Sequence, residues 1–135
     1  MPKLDWSVLE RPGLDRTLGL EYQTVSETEV TAVLEVDERH LQPFGYLHGG
    51  VNAALAESVA SVGANVAAPA GFVAFGQSIN ASHLRPVRAG ERLTYLAWPL
   101  HVGRLSQVWN VEVRDRAGRL VCASRCTLAL VPTDA

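Results

Sequence analysis

Glu57 and the glycine pair Gly49-Gly50 are the residues whose types and spacing could do chemistry in this chain. They share the run 42–66, QPFGYLHGGVNAALAESVASVGANV, the only long stretch with a helical period. Pro43 and Gly45 hold its beginning out of helix, and His48-Gly49-Gly50 is the expected first turn. The first N–H groups of a helix lack an internal partner and sit at the positive end of its dipole. Glycine lets a ligand oxygen come close to them. Such an end suits a carboxylate, a phosphate or the oxyanion of an acyl-transfer intermediate. A tight turn needing positive φ is the plainer reading of two adjacent glycines. A glutamate two turns on, predicted to be buried among Gly50, Ala54, Ser61 and Ala64, favours chemistry, because a buried carboxylate costs solvation energy unless something bonds or uses it.

The spacing adds a constraint. Gly49 and Glu57 are eight positions apart, so one helix separates them by about 12 Å. They cannot both touch one carbonyl carbon. If both act in one reaction, the second copy comes from another subunit, with two such helices antiparallel about a twofold axis.

The positioning element is the helix itself. On a wheel of 3.6 residues per turn, Val51, Leu55, Val59, Val62 and Val66 form one arc. Ala53, Ala56, Ala60, Gly63 and Ala67 flank it, where a sheet could approach, and Glu57 lies nearly opposite the large arc. Before it, residues 4–11 predict a short helical turn anchored by Trp6 and Leu9. Residues 18–25 predict a strand, and 29–37 a second, with Val30, Ala32, Leu34 and Val36 on one face and a hairpin at Ser26–Thr28. After it come 72–84 with a bulge at Gly76, the connection 85–90, 91–102 kinked near Pro99, 105–115 and 119–131.

Strands, a helix, then strands is the α+β pattern, in a single domain spanning 1–135. It predicts one long central helix wrapped by a curved antiparallel sheet of five to six strands. Such a sheet leaves an open edge and a naked helix face, and dimerisation addresses both.

With 135 residues, net charge −2 and pI near 6.1, the composition fits one ordinary globular domain and argues against nucleic acid as a partner. No apolar run reaches membrane-spanning length, and MPKLDWSVLERPG has no signal-peptide core, so no membrane role is expected. Cys122 and Cys126 share a strand face about 13 Å apart, too far to bridge. Unbridged thiols without a signal point to the cytoplasm. His40, His48, His83 and His101 form no ligand-spaced cluster, so no metal is expected.

The motifs QPFGYLHGGVNAALAESVAS at 42–61, INASHLRPVRAGERL at 79–93 and GRLSQVWNVEVRDRAGRLV at 103–121 resemble those of the hotdog-fold acyl-CoA thioesterases. The likeness covers nearly the whole chain from about residue 17. It is greatest to the branch with phenylacetate-pathway, Arthrobacter-type 4-hydroxybenzoyl-CoA and 1,4-dihydroxy-2-naphthoyl-CoA thioesterases. The resemblance implies that Glu57 is the catalytic nucleophile or general base, and that the Gly49 N–H is the oxyanion donor. It implies that Gln42 and His48 lie beside the thioester, that Ser61 positions water, and that His83 lines the acyl pocket. It further implies that Glu57 faces the glycine of the partner subunit, and that the substrate brings coenzyme A with no separate cofactor.

Each residue has a plainer role to set beside that one. Gln42 can cap its loop, His48 can neighbour the N-cap, Ser61 can simply be small, and His83 can be a satisfied half-buried histidine. His40 and His101 read as structural. Coenzyme A phosphates need cations. Arg85, Arg88, Arg104, Arg116 and Arg119 fall near predicted strand ends, with Gly103-Arg104 the first choice and Gly50 the second glycine at the helix start. The expected activity is hydrolysis of an aromatic or bulky acyl-CoA by a homodimer or a pair of dimers. The competing reading is a non-catalytic dimer that binds acyl-CoA or a protein partner.

Overall fold

The computed structural model describes residues 5–133. A 3-10 turn, Trp6–Glu10, precedes helix α1 (Leu14–Leu18) and strands β1 (Glu21–Val25) and β2 (Val30–Glu35). A second 3-10 turn, Glu38–His40, leads to the long helix α2 (Gly49–Ala67). Then come β3 (Phe72–His83), β4 (Arg92–Val102), β5 (Ser106–Arg114) and β6 (Leu120–Pro132). The strands form one antiparallel sheet in the order β1-β2-β4-β5-β6-β3, so β3 lies at an edge.

Alternation creates the sheet's inner face. Gln107, Trp109, Val111 and Val113 of β5 are buried and the residues between them are half-exposed. Val30, Ala32, Leu34 and Val36 are buried together, as their spacing predicted. The register shifts between Gly76 and Ser78 and between Pro99 and His101, where the bulge and the kink were expected.

The helix buries a different stripe from the expected one. Asn52, Leu55, Ala56, Val59, Ala60, Gly63 and Ala64 face the sheet, whereas Val51, Val62 and Val66 are half-exposed. Small residues let the helix come close, and large side chains from the sheet fill the space. A Cβ on Gly63 would stand 2.4 Å from the Trp109 ring. Burying Leu55 and Val59 contributes about 1.5–3 kcal/mol each. Tyr95 is fully buried and donates its hydroxyl to Asn52 Oδ1 at 2.7 Å.

Two other expectations need correction. The run 18–25 is a strand only from Glu21, because α1 occupies its beginning and Gly19, at φ 85°, ends that helix. Trp6 is 50% exposed and lines a surface cleft with Leu9 rather than joining the hydrophobic core, while Leu9 is half-buried. Residue 4 of the predicted turn lies outside the described residues.

Candidate active site

The loop before α2 is built to expose one donor. His40 is fully buried, accepts the Asp37 N–H at Nδ1 (2.9 Å) and donates from Nε2 to Leu18 O (2.6 Å). Its carbonyl accepts the His48 N–H at 2.8 Å, which fixes the approach to the helix. His48 is the N-cap, and its Nδ1 accepts the Gly50 N–H at 2.8 Å. A neutral imidazole that accepts at Nδ1 carries its proton on Nε2, so the exposed His48 ring offers an N–H outward. Among the described residues the Gly49 N–H has no partner. It is the open donor at the positive end of α2.

Gln42 is oriented in the same way. The turn 42–46 is closed by Gln42 N–H to Tyr46 O (2.7 Å) and Gly45 N–H to Gln42 O (3.0 Å). Phe44 N–H donates to Gln42 Oε1 at 2.5 Å, so the amide carbonyl is occupied, and among the described residues its NH2 has no partner. Gln42, Tyr46, Gly49, Asn52, His83 and Arg85 line one cleft of about 370 Å³. The His83 ring lies where a Cβ on Gly49 would stand 2.7 Å from its Nε2. Arg88 stacks on the Tyr46 ring 4.8 Å from its centroid and donates to the Tyr46 hydroxyl at 2.9 Å.

Glu57 and Ser61 line a different cleft, of about 250 Å³, with Asp15, Ser58 and Val62. Glu57 is half-buried here, not enclosed as its place on the wheel predicted. It sits at the margin of the buried stripe over β3, and a Cβ on Gly76 would meet its carboxylate at 2.8–3.0 Å. Cys126 is buried nearby, its thiol pushed up to about 11 by burial first and by the Glu57 charge second. Asp15 accepts from the Ser58 hydroxyl (2.5 Å) and the Tyr22 hydroxyl (2.8 Å), tying α1 to α2. Burial and then the Asp15 charge raise the Tyr22 phenol well above its ordinary value, so it remains a donor.

The predicted residues therefore fall into two clefts on one chain, one with Gln42, Gly49 and His83, the other with Glu57 and Ser61. The arginines do not gather at one rim. Arg85 and Arg88 belong to the first cleft and its Tyr46 edge. Arg119 pairs with Asp115 at 2.8 Å and Arg116 approaches Glu35 at 4.0 Å. Gly103-Arg104 lies in the β4–β5 turn at the opposite end of the sheet and lines neither cleft. A further cleft of about 460 Å³, between the first 3-10 turn, α1 and β1, contains none of the predicted site residues. Sequence reasoning missed Asp15, Tyr46 and Asn52, and it read Gly76 only as a bulge.

Residues 44–122, which include Gly49, Glu57, Ser61 and His83, match the thioesterase superfamily. The chain belongs to that family. It is 43% identical to a 1,4-dihydroxy-2-naphthoyl-CoA hydrolase of Listeria monocytogenes over 87% of this thioesterase and 95% of the relative. A hydrolase of the same description from Escherichia coli is 40% identical, over 84% of this chain and 83% of its own. The crystal structure of a thioesterase from Haemophilus influenzae superposes with a TM-score of 0.84 at 40% identity, covering 90% of this chain and 84% of that one. The fold and enzyme class expected from the motifs, a hotdog thioesterase, are borne out. Among the described residues, no helix of this thioesterase is long and apolar enough to cross a membrane.

Proposed function

We propose that this thioesterase hydrolyses an aromatic or otherwise bulky acyl-CoA to the free acid and coenzyme A, at a site shared between two copies of the chain. The observation that carries this reading is the separation of the two halves. The unpartnered Gly49 N–H and the Glu57 carboxylate stand in different clefts of one protomer. Along one helix they are about 12 Å apart.

In this reading the thioester carbonyl oxygen accepts from Gly49 N–H, with the Gln42 NH2 and the His48 Nε2–H beside it. These are fixed donors aimed at developing negative charge. Glu57 of the partner subunit supplies the attack. Either its carboxylate adds to the carbonyl carbon, giving an anhydride that water opens, or it takes a proton from a water held by Ser61. In both routes the C–S bond breaks, the thiolate leaves and takes up a proton, and the acid departs as carboxylate. His83 lines the site on the Gly49 side.

The open β3 edge supplies the twofold contact. Antiparallel pairing turns the Gly103-Arg104 end of one sheet towards the partner's Arg85 and Arg88, and these cations serve the coenzyme A phosphates. The bulky acyl group is supported by relatives described as hydrolases of 1,4-dihydroxy-2-naphthoyl-CoA.

Thiol release from benzoyl-, phenylacetyl-, hydroxybenzoyl-, naphthoyl- and medium-chain acyl-CoA tests the substrate class. An aromatic thioester should exceed the medium-chain ones at least tenfold in kcat/KM. A preference for medium chains would overturn the acyl assignment.

A further inference from the structure

The β3 edge that would meet a second copy is not open along its whole length. Ala74 N–H donates to Asn65 Oδ1 at 2.8 Å, and Asn65 Nδ2 donates back to Ala74 O at 3.1 Å. Asn65 Nδ2 is also anchored on Ser61 O, one helical turn earlier, at 2.8 Å. A side chain from α2 thus occupies both Ala74 groups that face away from β6, as a neighbouring strand would. At the other end the strand stops at His83, three residues before Pro86, which has no N–H to offer.

We infer that Asn65 is a register stop: by closing the β3 edge at Ala74, it leaves Gly76–His83 as the segment on which a second copy can pair, and so aligns the two half-sites. This inference rests on the composite-site reading above. Leu84 N–H reaches Val121 O, so by alternation His83, Ala81 and Ile79 turn their own N–H and C=O groups to the free edge. In an antiparallel pair of identical strands, hydrogen-bonded partners must both be edge-facing residues. Using the whole open segment places Ile79 opposite the partner's Ala81, with the twofold axis at Asn80. The extra residue of the Gly76–Ser78 bulge then brings the Gly76 end of one strand against the partner's His83. Glu57 lies over Gly76, and Gly49 lies against His83. This register is the one that joins the halves. Slipping by two residues would move them about 7 Å, out of hydrogen-bond range.

Disulfide trapping reads the register directly. Ser78, Asn80 and Ser82 are exposed, lie on the outer sheet face and take no part in the proposed chemistry. The native thiols of Cys122 and Cys126 are buried. At the axis Asn80 faces its own copy as a non-hydrogen-bonded pair with Cα atoms about 4.5 Å apart, close enough to bridge. Asn80→Cys should form a covalent dimer under mild oxidation at least tenfold faster than Ser78→Cys or Ser82→Cys. Asn65→Ala reopens Ala74 and shifts the centre of the edge towards Ser78. In that background trapping should spread to Ser78→Cys, and kcat should fall at least tenfold while the dimer mass is kept. If Asn65→Ala does not fold, the three cysteine variants in the otherwise unchanged chain still decide the register. Faster trapping at 78 or 82, or equal trapping at all three, overturns it. So does an Asn65→Ala dimer with unchanged trapping and turnover. A chain that hydrolyses thioesters as a monomer removes the composite site itself, a different failure.

Discussion

The Glu57 carboxylate lies against Gly76 so closely that a methyl group there would stand 2.8 Å from the carboxyl carbon. Helix and strand have met at a bulge where the one residue without a side chain makes room for an acid. Gly76→Ala should therefore displace Glu57 while leaving the sheet paired. We expect kcat to fall at least tenfold, with an overpacking cost of about 1–3 kcal/mol in the melt. Unchanged kcat would separate the Gly76 contact from function.

Glu57→Gln and Glu57→Ala remove the proposed attacking group without touching the buried stripe of α2. Turnover should drop by about 10²–10⁴-fold, with the circular dichroism spectrum and melting temperature close to the parent's. Near-parental hydrolysis by either variant would remove the catalytic role from this residue.

Gln42 offers a sharper comparison, because its amide oxygen holds the turn and its NH2 end is the proposed donor to substrate. Gln42→Glu keeps an acceptor for Phe44 N–H and loses the NH2, whereas Gln42→Ala loses both. Both should lose about 10²–10³-fold in kcat, the cost of one oxyanion donor. Only the alanine variant should also lose the turn bond, about 0.5–1.5 kcal/mol of stability. A glutamate variant that retains turnover would show that the NH2 end is not used.

Cys122 and Cys126 are fully buried, and burial raises both thiols from near 9 to about 11. Ellman's reagent at pH 8 should find no reactive thiol in the folded chain and two after denaturation. Between pH 9 and 11 the folded state holds these protons and the unfolded state releases them. Stability should therefore decline as pH rises through that window. Thiols that react without denaturation would contradict the packing around β6.

The helix, its glycine start and the strand–helix–strand order were legible because 3.6 and 2 are strong periods and Gly49-Gly50 punctuates them. The buried face of α2 was less legible. Hydropathy favours Val51, Val62 and Val66, but a helix lying close to a sheet prefers Ala56, Ala60 and Gly63, with Trp109 and Tyr95 reaching across from distant strands. The start of the run 18–25 was misread because its apolar residues do not reveal that Gly19 closes a helical turn. That Gly49 and Glu57 stand apart, in different clefts of one chain, was legible from their eight-residue spacing alone. Asp15 was not, because its partners Ser58 and Tyr22 come together only in the fold. Counting strand ends found the arginines but not which end of the sheet each occupies, so Gly103-Arg104 was grouped with residues at the far end.

Mixing two inactive variants tests the shared site most directly. In the proposed site Glu57→Ala and Gln42→Ala disable opposite halves, so a dimer containing one of each would keep one whole site and one doubly disabled site. Equal amounts, unfolded and refolded together, should recover about a quarter of the parental activity, since half the dimers are mixed and each has one of two sites. Activity no higher than the average of the two variants alone, from a mixture shown to contain mixed dimers, would place Glu57 and Gln42 in one chain's own site and contradict the proposal.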